Sequence, residues 1–303
     1  LATQQSVFPV TSTVDNNKKT LSYNGSPIIA VGTVNGPSNE DDIAQQTKNY
    51  WHSGFPGATS NDLLCFLDPS HSVSSGYGKS TCTETFNVFN ATATQSCGQS
   101  FGGAGWLADT DCYLDQQISQ NDAVIVPIQI GTNDITYLNS NGAIDCQSVP
   151  LPQSTTAKRL TAVVDSIFDS TQISNDNTIV GKIRNYLVNK GVPTNHIGFV
   201  ISMIPKRTLA DGADANNYCT DYYNALIQSS IQQGAASGVF LANQGNLIPT
   251  ADSVHPANQG HFIMACNLLY GYAFSQLDSF ACPVPAVNPT QGFMAALKSI
   301  AGG

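Results

Sequence analysis

An open, mainly parallel sheet with helices on both faces, the α/β class, is what this sequence predicts, and three observations predict it. Short apolar runs rich in β-branched residues alternate with stretches of helical composition. Hairpin signals are few. One run, Asp122–Gly131 (DAVIVPIQIG), is apolar on both faces, as a central strand covered by helices should be.

In chain order, residues 1–26 are rich in Thr, Ser and Asn and weakly periodic, which predicts an N-terminal arm or edge hairpin. Pro27–Gly32 (PIIAVG) reads as the first core strand and Asp41–Trp51 as a helix after it. Thr59–Leu67 opens a second helix with Ser60 or Asn61 available as N-cap. Asp68–Gly105 is an aperiodic excursion rich in Ser, Gly and Cys, expected to be a disulfide-pinned loop that shapes a cleft. Trp106–Ile118 reads as a helix, and Pro127 inside the central strand predicts a bulge.

Leu160, Val163, Val164, Ile167 and Phe168 fall on one face of an amphipathic helix, and Ile179–Asn189 forms another. His196–Pro205 is the next buried strand. A long helix follows with Tyr218, Tyr222 and Leu226 on one face, then a strand at Gly238–Asn243 and a last core helix at Gly260–Phe274. Neither an internal repeat nor a linker interrupts the chain, so 1–303 is read as a single domain with a C-terminal tail at 283–303.

Composition narrows the class of partner. Twelve Lys and Arg against 21 Asp and Glu give a net charge of −9, which disfavours nucleic acid and anionic membranes. Only 11% of residues are charged, so solubility rests on neutral polar groups and glycans, as suits an extracellular protein. The chain opens on Leu1, and a secretory signal removed on maturation is expected; no apolar run is long enough for a transmembrane helix. Asn24-Gly25-Ser26 and Asn90-Ala91-Thr92 are candidate glycosylation sequons.

The eight cysteines form no C-x-x-C pair and no zinc-finger spacing, so four disulfides are expected and no metal or other cofactor. Cys266 with Cys282, and pairings among Cys65, Cys82, Cys97 and Cys112, close the shortest loops; the sequence does not choose between connectivities.

Three short blocks carry chemistry. Gly57 (GFPGATSNDLL) stands in a turn before a helix, where a backbone N–H can face an anion. Asn133 (IGTNDI) follows the central strand, where its amide can point an N–H at developing negative charge. Asp252 and His255 (TADSVHPANQGH) stand three apart in a turn, close enough for the carboxylate to fix the imidazole tautomer. The same turn with His261 does not make a convincing metal site, and His52, His71 and His196 read as structural or solvated.

In this order and strand context the blocks resemble the SGNH or GDSL hydrolase family over roughly residues 27–274. The resemblance implies a flavodoxin-like three-layer α/β/α sandwich and ester chemistry. It implies that Gly57 and Asn133 are oxyanion donors and that Asp252 and His255 are the acid–base pair. It also implies a nucleophilic serine in a G-D-S block, and there this chain departs: IAVGTVNGP sets Thr33 at the family's aspartate and Val34 at its serine.

A valine side chain has no lone pair to attack a carbonyl, so an acyl-enzyme cannot form at Val34. Ser38, Thr33 and Ser60 are the candidate substitute nucleophiles. Two readings follow: a pseudoenzyme with a ligand-binding or structural extracellular role, or a carbohydrate or lipid esterase with a displaced nucleophile. Trp51, Trp106 and Tyr77 are candidate stacking surfaces for a sugar ligand.

Overall fold

The computed structural model describes the backbone of residues 14–15, 20–23, 26–31 and 50–51, then residues 57–73, 79–88, 123–148, 150–206, 216–234 and 238–244, with positions 264, 267 and 268; the side chains of 123 and 125 fall outside this set. Within it the chain is α/β. Strands β1 (Val14–Asp15), β2 (Thr20–Tyr23) and β3 (Ser26–Val31) are joined antiparallel, which places the expected edge hairpin at the N-terminus. From β3 onward all pairing is parallel. β4 (Tyr50–Trp51) lies on one side of β3 and β5 (Ala123–Ile128) on the other, followed by β6 (Ile197–Ser202) and β7 (Val239–Ala242). The spatial order is therefore β4-β3-β5-β6-β7.

Parallel strands need crossovers, and the described crossovers are helical. Helices α1 (Ser60–Leu67) and α2 (Cys82–Val88) lie between β4 and β5. Between β5 and β6 come α3 (Thr132–Ser140), α4 (Thr155–Ile167) and α5 (Ile179–Asn189). α6 (Asn216–Gly234) joins β6 to β7. Caps set their starts: Ser154 accepts the Ala157 N–H at 3.1 Å, and Thr178 accepts that of Gly181 at 3.0 Å.

All six residues of β6 are buried, as a strand flanked on both faces requires. Alternate residues serve different cores. Val124, Val126 and Ile128 of β5, with Ile197, Phe199 and Ile201 of β6, join a large cluster that includes Leu160, Val164, Ile183 and Tyr223. Val200 and Ala242 belong to a second cluster, against which Phe240 and Leu268 pack.

Several expectations are corrected here. Tyr50 and Trp51 are strand, because their backbone pairs with Ala30 and Val31; the rest of 41–51 lies outside the described residues. The excursion after Asp68 is not wholly loop: Cys82–Val88 is helical and turns Phe86 onto Phe66, ring centroids 6.0 Å apart. Pro127 makes no bulge. Register with β6 runs unbroken from Val124–Ile197 to Ile128–Ile201, and Ile125 is the last β5 residue paired to β3, so the proline sits where one neighbour fewer needs its missing N–H. On α6 the buried stripe is Cys219, Tyr223, Ile227 and Ile231; Tyr218 is 49% exposed.

Two disulfides are described. Cys65–Cys82 lies within the expected set, and Cys146–Cys219 spans 73 residues, which the shortest-loop argument misses. Cys97, Cys112, Cys266 and Cys282 lie outside the described residues, as do the helix expected at 106–118, the tail, and the acceptor asparagines Asn24 and Asn90 of both sequons. Met264, Asn267 and Leu268 are helical, inside the last helix expected. Among the described residues no helix is long and apolar enough to cross a membrane.

Candidate functional site

The turn before α1 and the turn before α3 meet where β4 and β5 have ended. In the first, Gly57 holds φ +81°, a left-handed backbone that an L side chain adopts only under strain, although a Cβ there would meet nothing within 4 Å. Conformation, not space, requires glycine. Gly57→Ala should therefore cost about 1–2 kcal/mol in chemical denaturation. A neutral result would mean that the turn relaxes to negative φ.

Thr59 is the N-cap of α1, not Ser60 or Asn61. Its hydroxyl accepts the Asp62 N–H at 3.3 Å, while Asp62 takes the Thr59 N–H at 2.9 Å, a reciprocal capping box. Asp62 also accepts from Thr85 at 2.8 Å and pairs with Lys79, so the strap over residues 79–88 is tied to α1 by a buried carboxylate beside the Cys65–Cys82 bridge.

Ser60 is the first residue of α1 and is 1% exposed. Its hydroxyl donates to Asp134 Oδ1 at 2.6 Å, and its N–H lies 3.1 Å from both carboxylate oxygens. Charge-assisted bonds of this length are strong. Of the three substitute nucleophiles, Ser60 is thus buried and bonded to Asp134; Thr33 and Ser38 lie outside the described residues. The α1 N-terminus, a ready anion site, is filled by the protein's own carboxylate.

Asn133 stands one residue before Asp134, in the first turn of α3. Its Nδ2 donates to the Ala58 carbonyl at 3.0 Å, directly beside Gly57. The two loops named as oxyanion donors are in contact. The α3 N-cap is Gly131, which has no side chain to cap with, at φ +118°. Behind it Tyr223 from α6 donates to the Ile130 carbonyl at 2.7 Å. Burial, reinforced by the nearby Asp134 charge, pushes that phenol well above its ordinary pKa, so it stays a donor.

The far end of α1 is fixed differently. Its C-cap is Asp68, a charge the helix dipole disfavours there, and Lys182 from α5 answers it at 2.7 Å. The Lys182 bond first, then the Ser70 hydroxyl, hold Asp68 at about 2 against an ordinary 3.8. A carboxyl whose folded pKa is depressed adds stability above its unfolded pKa and loses it as pH falls through the folded one. Asp68→Asn should therefore flatten the acid limb of the stability curve between pH 3.8 and about 2. An unchanged limb would detach this pair from acid unfolding. Nearby His71 is half-buried, Nε2 3.4 Å from Asn61 Oδ1, with its pKa lowered chiefly by burial.

Val34, Asp252, His255 and His261 lie outside the described residues, as do the side chains of Trp51, Trp106 and Tyr77. Among the described residues no cluster of three His, Cys, Asp or Glu is placed to hold a metal ion. Sequence reasoning missed Ser60 as the clasp of Asp134, and missed Tyr223. The signal for the first was present, in that the N-D pair of IGTNDI offers a carboxylate beside the amide. Neither a protein-family model, nor a curated protein, nor a solved structure matches this chain.

Proposed function

We propose that this chain is a secreted SGNH-hydrolase-like protein that binds an acyl-ester or carbohydrate ligand at the carboxyl edge of its sheet without forming an acyl-enzyme. The contact of Asn133 Nδ2 with Ala58, beside Gly57, carries the reading: it brings two polar loops to one place, as an oxyanion pair needs. The strand order β4-β3-β5-β6-β7 supports it, since counted from β3 it is the 2-1-3-4-5 order of flavodoxin-like sheets, whose crevice opens between the first and third strands. The finer architecture in this reading is the three-layer α/β/α sandwich, with Val200 and Ala242, and Phe240 and Leu268 packed against them, on the second face.

Val34 supplies the other half of the reading. Donors arranged around an absent nucleophile can hold a carbonyl or an anion, and water attack with His255 as base is the slow route left. Disulfides and a sparsely charged sequence suit an extracellular setting.

The test is a fluorophosphonate labelling experiment run beside p-nitrophenyl acetate hydrolysis. No label and no burst are expected from the natural chain, and label at residue 34 is expected after Val34→Ser with Thr33→Asp. Covalent label on Thr33 or Ser38 in the natural chain would replace this reading with that of a displaced-nucleophile esterase.

A further inference from the structure

Asn133 has two amide hydrogens; one is bound by Ala58 O, and the other has no acceptor among the described residues. A primary amide held at one hydrogen is a useful donor only if its plane is fixed. Two features fix it. Ala58 is two residues before Ser60, and Ser60 is clasped through both its N–H and its hydroxyl by Asp134, the residue after Asn133. Asn133, Ala58, Thr59, Ser60 and Asp134 thus close a ring in which each contact limits the freedom of the other. The Thr59–Asp62 box stiffens the ring's outer edge.

We infer that Ser60 and Asp134 are positioning residues that hold the Asn133 amide toward the crevice, an inference that rests on the ester-site reading above. Asp134 is fully buried and takes the strongest of these bonds, so the clasp is the stiff side of the ring and the Asn133–Ala58 bond the dependent one. Ser60 has no acyl chemistry in this assignment; its hydroxyl proton serves Asp134.

The experiment reads the Asn133 side-chain amide directly by NMR on the whole chain, the resonance pair being assigned by its loss in Asn133→Ala. In Ser60→Ala and in Asp134→Asn the bonded proton should exchange about tenfold faster, the factor that loss of one ordinary hydrogen bond gives. Ser60→Thr, which keeps the hydroxyl, should restore slow exchange. If Asp134→Asn does not fold, the Ser60→Ala and Ser60→Thr pair decides. Unchanged Asn133 shifts and exchange in Ser60→Ala, whatever happens to its melting temperature, would overturn the assignment. The readout needs no ligand, so failure of the ester-site reading shows itself separately, as natural protein that does not bind butylphosphonate.

Discussion

Gly131→Ala should cost about 3–7 kcal/mol in urea unfolding, among the largest effects of any single methyl in this protein. Three costs add. At φ +118° an L side chain carries backbone strain of about 1–3 kcal/mol. The new Cβ would stand 2.5 Å from Tyr223 Cζ and 2.6 Å from its oxygen, so the ring must move, and overpacking a dense core costs about 1–3 kcal/mol more. A displaced ring gives up its 2.7 Å bond to the Ile130 carbonyl, worth about 1 kcal/mol. Tyr223→Phe alone removes only that last contribution and should be far milder. Adding Tyr223→Phe to Gly131→Ala should relieve part of the clash but not the approach to Cζ, so the cycle should show partial coupling. A loss below about 1 kcal/mol for Gly131→Ala would mean that the turn swings to negative φ and that Tyr223 does not back it.

The parts of this fold that could be read from the sequence are those in which one local pattern dominates. Ile179–Asn189 is legible because apolar residues recur at helical spacing; the Thr178 cap is seen in the structure. β6 was legible because a run apolar on both faces has few other homes. Where two patterns compete, reading fails. α6 carries Tyr218-Tyr222-Leu226 and Cys219-Tyr223-Ile227 as parallel stripes one residue apart, and the choice between them is made by the Cys146 bridge and by the Ile130 carbonyl, each distant in sequence. α3 is not legible because TNDITYLNS is rich in poor helix formers; burial of Ile135 and Leu138 and the clasp of Asp134 hold it instead.

The candidate site shows the same division. Gly57 and Asn133 can be singled out as residue types suited to binding an anion, but the Asn133–Ala58 bond that joins their turns is tertiary. Ser60 illustrates the limit: a serine after a glycine turn reads equally as cap, nucleophile or solvated hydroxyl, and only the buried carboxylate of Asp134, 74 residues away, assigns it.

Removing the Cys146–Cys219 bridge as the double variant Cys146→Ala/Cys219→Ala should cost about 4 kcal/mol, because a cross-link closing 73 residues removes more unfolded-state entropy than the 17-residue Cys65–Cys82 loop, for which about 3 kcal/mol is expected. Both sulfurs are fully buried, so alanine is the better replacement, leaving no unpaired hydroxyl inside. The bridge anchors the loop after α3 to the first turn of α6, the helix that also delivers Tyr223 behind Gly131. Since the effect acts mainly on the unfolded chain, the far-UV circular dichroism of the folded double variant should match that of the natural protein, while the urea m value rises as the unfolded state expands. An altered folded spectrum would instead place the bridge's contribution in holding α6 against the site. A loss under about 1 kcal/mol would show that the unfolded chain keeps these segments together without the sulfur link.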